Sequence, residues 1–201
     1  MEKTVKTGTT TVGMICKDGV VLGAERKATA GYMIASKDDT KIVEILPHLG
    51  LTQAGSVGDI QSLVRYISAE TKLYEIKNDK KITIKAATTL LSNILHQNRY
   101  YPYMVQMILG GFDVKGPQLF ILHADGSMLE EKKFFSTGSG SPYALGVLET
   151  LYKDDITTEE GKLIVEKAIR AAVQRDIASG GIGMDIAVID QKGFRKVGVK
   201  F

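Results

Sequence analysis

Gly8 and Thr9, in the run Lys6-Thr7-Gly8-Thr9-Thr10-Thr11-Val12-Gly13, form the junction with the most direct route to chemistry in this chain. If the bond between them is cut, Thr9 carries a hydroxyl and a free α-amine on one residue. A hydroxyl needs a base to become a nucleophile, and an α-amine titrates near pH ~8, so a single residue supplies both. Other reactive types stand at ends of elements: Glu25 in Glu25-Arg26-Lys27, then Lys41, then Gly55 in Ala54-Gly55-Ser56. The last is a strand-to-helix turn, where backbone amides are free to point at an anion. Ser139 lies in Thr137-Gly138-Ser139-Gly140-Ser141, just before a helix. Asp176 and Ser179 are three apart near the end of a long helix, a spacing that puts both on one face.

Taken singly, each of these residues has an ordinary structural reading. Thr9 is a strand threonine, Lys41 a solvated surface group, Ser139 a helix N-cap and Gly55 a turn glycine. Asp176 is less ordinary, because the helix dipole disfavours a carboxylate in a last turn and so calls for a partner. Cys16 reads as a buried strand residue. The histidines suggest no Ser-His-Asp set.

The elements that would position these groups follow from periodicity. Residues 9–16 alternate, with Val12, Met14 and Cys16 on one face and Thr11, Gly13 and Ile15 on the other. Lys17-Asp18-Gly19 turns the chain into a second strand over 20–26. Residues 41–46 and 49–54 read as a hairpin around Pro47-His48. Ser56-Val57-Gly58-Asp59 has capping-box spacing and opens a helix carrying Ile60, Leu63, Val64 and Ile67. A second helix covers roughly 83–97, with Pro102 marking its exit. Strands follow at about 104–111, 118–124 and 128–134. Helices then span 141–152 and the stretch from Thr157-Thr158-Glu159-Glu160 to a stop at Gly180-Gly181. Strands at 185–190 and 194–200 close the chain. Short links between strands imply antiparallel sheets. Helix pairs between strand groups imply two stacked sheets, each covered by helices on its outer face.

Composition narrows the class. With 201 residues, 44% hydrophobic and 24% charged, the chain has the make-up of one ordinary globular domain. The net charge is +3 with no basic block, which argues against nucleic acid. No apolar run reaches membrane-spanning length. One cysteine excludes an internal disulfide, and a reducing cytoplasm is the expected compartment. His48, His96 and His123 show no metal-ligand spacing, so no metal is expected. Met1–Gly8 lacks the apolar region of a secretory signal and reads as a short propeptide, leaving 9–201 as a single domain.

Five segments together resemble the proteasome β-subunit family, of archaeal type. They are Gly8-Thr9-Thr10-Thr11-Val12-Gly13, Ala35-Ser36-Lys37 through Lys41-Ile42, Ala54-Gly55-Ser56-Val57-Gly58-Asp59, Ser136-Thr137-Gly138-Ser139-Gly140-Ser141-Pro142 and Gln174-Arg175-Asp176 through Ser179-Gly180-Gly181. The resemblance implies an α+β fold, the four-layer α/β/β/α sandwich of N-terminal-nucleophile hydrolases. It implies that Thr9 is the nucleophile, Lys41 the lysine beside it and Glu25 the carboxylate paired with that lysine. Many members have Asp at the latter position; Glu keeps the charge with one more methylene. The Gly55 N–H resembles the oxyanion donor, and Ser139, Asp176 and Ser179 the shell around the Thr9 amine. Ala28, Asp39, Val43, Gln53 and Val57 are implied to line the pocket for the residue before the cut. Gln53 is polar where its strand otherwise reads apolar, so it either tunes preference or bonds to a neighbour.

The implied activity is a threonine endopeptidase that removes its own propeptide between Gly8 and Thr9, with no cofactor. The implied partners are other β-subunits in a seven-membered ring, a second β-ring, flanking α-subunit rings, a regulatory ATPase reached through the α-rings, and unfolded polypeptide as substrate. No membrane or nucleic-acid partner is implied. A different class of function is a β-subunit that keeps its leader and supports ring assembly without cleaving peptides. Nucleotide binding is a third reading, on the glycine-rich 55–58 and 138–141 loops, but no G-x-x-x-x-G-K-[ST] is present.

Overall fold

Two hairpins begin the two sheets. In the computed structural model, which describes residues 8–201, β1 (Thr11–Cys16) turns through Lys17-Asp18 into β2 (Gly19–Glu25). The alternation of β1 sets its faces. Val12, Met14 and Cys16 join the core beneath one helix pair, while Ile15 packs toward the opposite sheet. β2 is buried throughout, with Val21 on the helix side and Val20, Leu22 and Ala24 between the sheets. The expected propeptide falls on residues 1–8, of which 1–7 lie outside the described residues.

A short hairpin, β3 (Ala28–Ala30) and β4 (Met33–Ser36), follows, and the sequence pattern does not foretell it. Its residues are mostly exposed, so no buried face imprints an alternation. β5 (Ile42–Leu46) and β6 (Leu49–Gly55) form the second expected hairpin. α1 (Val57–Asn78) then buries Ile60, Leu63 and Ile67, and α2 (Ile84–Gln97) buries Ala87, Leu91 and Leu95. Thr83 caps α2 by accepting from Ala86 N–H. The capping box expected at Ser56 does not form: its side chain makes no cap bond. Asp59 instead accepts the Met104 N–H at 2.9 Å and ties α1 to the segment entering the next strand.

β7 (Val105–Asp113) and β8 (Gly116–His123) extend that sheet. The single strand expected over 128–134 is two strands. β9 (Met128–Glu131) ends one sheet, and β10 (Phe134–Thr137) begins pairing with β1 in the other. Lys132-Lys133 carries the chain across, and period-two alternation runs on through such a crossing without marking it. α3 (Ser141–Leu151) has proline in its first turn, and α4 (Thr158–Arg175) opens on a complete Thr157–Glu160 capping box. β11 (Gly183–Asp190) and β12 (Gly193–Lys200) complete the first sheet.

The sheets run β10-β1-β2-β11-β12 and β5-β6-β7-β8-β9, every pair antiparallel. α3 and α4 cover the first and α1 and α2 the second. Between the sheets lies an apolar layer that includes Leu22, Ile42, Ile108, Leu119 and Ile189. The result is the four-layer α/β/β/α sandwich. Among the described residues, no helix is long and apolar enough to cross a membrane, and no cluster of three or more His, Cys, Asp or Glu could hold a metal ion.

Candidate active site

The nucleophile candidate and its neighbours meet at one end of the seam between the sheets. Thr9 precedes β1 and Glu25 ends β2, both in the first sheet; Lys41 precedes β5 and Gly55 ends β6, both in the second. Antiparallel pairing of β1 with β2 sets Thr11 opposite Ala24, so Thr9 and Glu25 emerge side by side.

The Thr9 Oγ1 hydroxyl donates to Glu25 Oε1 at 2.6 Å. Glu25 is fully buried, and both its oxygens are occupied. Oε1 also accepts the Thr10 N–H at 3.3 Å, while Oε2 accepts those of Lys27 at 2.6 Å and Gly180 at 2.9 Å. A buried carboxylate costs several kcal/mol unless such donors and a counter-charge surround it. The counter-charge is Lys41, whose Nζ lies 3.2 Å from Glu25 Oε1. Lys41 Nζ also donates to the carbonyls of Glu25 at 3.0 Å and Lys27 at 2.7 Å, so the three ammonium hydrogens each have an acceptor. Burial pulls the Lys41 pKa below the usual lysine range; the charges of Glu25 and Asp39 oppose that fall without cancelling it. A lysine ammonium weakened by burial therefore shares a carboxylate with the Thr9 hydroxyl.

On the other side, the Thr9 N–H donates to Ser139 Oγ at 3.2 Å. Ser139 Oγ and Ser179 Oγ each donate to Asp176 Oδ2 at 2.6 Å. The expectation that Asp176 and Ser179 share a helix face is corrected here: α4 ends at Arg175. Asp176 is its extended C-cap, and the two residues meet across the following turn. The partners that a carboxylate at a helix C-terminus calls for are these two serines.

Gly55 stands at φ +131°, and a Cβ there would lie 2.0 Å from the Met104 carbonyl oxygen. Only glycine fits this turn. Gly55 and Thr9 line one cleft of about 290 Å³, together with Lys41 and all five expected pocket residues, Ala28, Asp39, Val43, Gln53 and Val57. Gln53 also bonds to a neighbour: its Nε2 donates to the Thr40 carbonyl at 3.2 Å. Gly8 borders the same cleft, and Ala178 approaches it so closely that an added Cβ would lie 1.8 Å from the Ala178 Cβ.

Sequence reasoning passed over three contributors: the Lys27 and Gly180 main chains, and the Thr10 side chain, whose Oγ1 lies 2.6 Å from Ser179 Oγ. Lys27 and Gly180 act through their backbones, which no residue type announces. Thr10 had a signal in a hydroxyl next to the nucleophile at the start of a buried strand.

Likeness to known proteins agrees with this geometry. A profile of the proteasome-subunit family matches residues 5–189. The proteasome subunit beta of Methanohalophilus mahii is 51% identical over 190 residues, covering 94% of this chain and 90% of that protein. Its counterpart in Methanosarcina thermophila is 48% identical over the same span. That of Methanococcus vannielii is 50% identical over 187 residues, 92% of this chain and 85% of the relative. A match across nearly the whole length, over a sandwich with hydroxyl, carboxylate and lysine gathered at its seam, places this chain in the proteasome-subunit family, in its archaeal β-type branch.

Proposed function

We propose that this β-type subunit is a threonine endopeptidase that frees its own nucleophile by removing residues 1–8. The observation that carries the reading is the 2.6 Å bond from Thr9 Oγ1 to a carboxylate paired with buried Lys41, one peptide bond from Gly8. In the uncut chain Thr9 Oγ1 attacks the Gly8 carbonyl carbon. Its proton passes to the Glu25–Lys41 pair and from there to the Thr9 nitrogen as the Gly8–Thr9 C–N bond breaks, leaving an ester and a free amine. Water cleaves the ester, releasing the leader with a carboxylate on Gly8 and restoring the Thr9 hydroxyl.

In the mature chain the Thr9 amine accepts the hydroxyl proton while Oγ1 attacks a peptide carbonyl. The Lys41 charge favours the alkoxide and keeps the amine neutral enough to act. The Gly55 N–H holds the tetrahedral oxyanion, a contact typically worth about 3–4 kcal/mol of barrier. The amine then protonates the leaving nitrogen, and water hydrolyses the acyl-enzyme. Ser139, Asp176 and Ser179 orient the amine. Ala28, Val43 and Val57 give the pocket apolar walls, so it takes an apolar side chain before the cut, with Asp39 and Gln53 as its polar members.

Family membership carries assembly into the proteasome core particle with other subunits. In the proposed particle, seven copies form a ring, two such rings stack, α-rings flank them, and a regulatory ATPase feeds unfolded polypeptide through the α-rings in the cytoplasm. The test is intact mass and peptidase activity of purified particles. Wild type is expected to begin at Thr9 and to cleave peptides. Thr9→Ala should assemble but retain residues 1–8 and be inactive. An active particle with an intact Met1 would overturn the proposal, and an inactive one would assign the chain to the non-catalytic, assembly-supporting role.

A further inference from the structure

Thr10 is fully buried, and its Oγ1 lies 2.6 Å from Ser179 Oγ. The direction of that bond follows from counting hydrogens. An ionised carboxylate only accepts, and each serine hydroxyl has one proton. Asp176 Oδ2 receives both serine protons, at 2.6 Å from Ser139 and 2.6 Å from Ser179. The remaining contact of Ser179 must therefore use the hydrogen of Thr10. By the same count, Ser139 has only a lone pair to offer Thr9 N, so the Thr9 nitrogen is held as a donor. The hydrogens run Thr10 to Ser179 to Asp176 from one side and Thr9 to Ser139 to Asp176 from the other.

We propose that Thr10 is a positioning residue for the N-terminal base: its hydroxyl fixes Ser179 on Asp176, and through Asp176 and Ser139 it keeps the lone pair of the mature Thr9 amine free for the proton of Thr9 Oγ1. This rests on the threonine-protease reading above. Thr10 suits the role because it spans both halves of the site. Its backbone N–H donates to Glu25 Oε1 at 3.3 Å while its side chain serves Asp176 through Ser179. Thr10 does not line the cleft, so it acts on the chemical step and not on substrate binding.

The charged groups around the Thr9 amine are Glu25 and Lys41 on one side and Asp176 on the other. Asp39 lies beyond Lys41, and Lys27 is held with its Nζ on the Ile177 carbonyl. Loss of the Thr10 hydroxyl weakens the Ser179 bond that spreads the charge of Asp176. A more concentrated negative charge favours the ammonium form of Thr9. The acid limb of activity should then move to higher pH.

The experiment uses leader-free assembled particles and a fluorogenic peptide, with kcat, KM and the pH profile of kcat/KM measured for each variant. Thr10→Val keeps the shape and β-branching but lacks the hydroxyl. It is expected to lower kcat about three- to tenfold, one hydrogen bond's worth, with KM unchanged and the acid limb shifted up. Thr10→Ser restores the hydroxyl and should restore both kcat and the limb. In a Ser179→Ala background, Thr10→Val should change kcat by less than about twofold, since its effect passes through Ser179. If Thr10→Val does not assemble, Thr10→Ala carries the same expectations without a γ-methyl to accommodate. An unshifted limb, a rise in KM at constant kcat, failure of Thr10→Ser to rescue, or full multiplication of the two effects would each overturn the role of Thr10. A wild-type particle that is inactive, or a Thr9→Ala particle that is active, would overturn the underlying reading instead.

Discussion

Glu25 gathers one hydroxyl and three main-chain donors as well as a lysine, so its charge cannot be removed quietly. Glu25→Gln keeps the outline, but its NH2 would face either the Lys27 and Gly180 N–H groups or the Lys41 ammonium. Breaking a buried pair on one side costs about 3–5 kcal/mol. Glu25→Gln is expected to lower the thermal midpoint of the particle and to abolish leader removal, read by intact mass; a processed, equally stable variant would show that the carboxylate is dispensable. Asp39 allows a gentler test. Its carboxylate lies 4.0 Å from Lys41 Nζ and helps hold the Lys41 pKa up against burial. Removing a negative charge disfavours the ammonium, so Asp39→Asn should move the alkaline limb of kcat/KM to lower pH than in wild type. An upward shift would separate that limb from Lys41. At this scale Thr9, Glu25 and Lys41 were readable through the resemblance that the motifs around them carry, because each taken singly has an ordinary reading. The Lys27 and Gly180 amides on Glu25 were not, because a backbone donor has no residue type.

The turns between elements determine whether those side chains meet. Gly55 shows this most sharply: at φ +131° and against the Met104 carbonyl, the β6–α1 turn tolerates no Cβ. Gly55→Ala should displace the proposed oxyanion amide and lower kcat by roughly a hundredfold or more. Near-wild-type turnover on a peptide substrate would assign the oxyanion to another donor. Elements with a buried face were legible from period alone, including α2, α4 and the β1–β2 hairpin. The exceptions share a cause. β3 and β4 have little buried face to impose a pattern, and the β9–β10 crossing changes the partner sheet without changing the period. Asp59 looked like a capping residue from its spacing, but the Met104 N–H offered it a longer-range bond that local sequence does not encode.

At the scale of the whole molecule, the site is a product of sheet-to-sheet distance. Thr9 and Glu25 stand at the end of one sheet, Lys41 and Gly55 at the end of the other, and the layer between the sheets sets how closely they approach. Gly13 of β1 is part of that spacing: a Cβ there would stand 2.8 Å from Ile108 Cγ2 and 2.8 Å from Leu119 Cδ1. Gly13→Val should therefore overpack the layer at a cost of about 1–3 kcal/mol, lowering the thermal midpoint by roughly 2–12 °C for a chain of this size. It should also lower kcat, because parting the sheets lengthens the 3.2 Å Glu25–Lys41 contact. Leu119→Ala opens a cavity in the same place and should cost about 2–5 kcal/mol alone. Placed together, the added methyls fill the space that leucine leaves. The double variant should be more stable than the sum of the two losses and should recover kcat relative to Gly13→Val. Losses that add to within ~0.5 kcal/mol, with kcat no better than in the single variant, would mean that the two positions do not share the layer and that the seam does not set the geometry of the site.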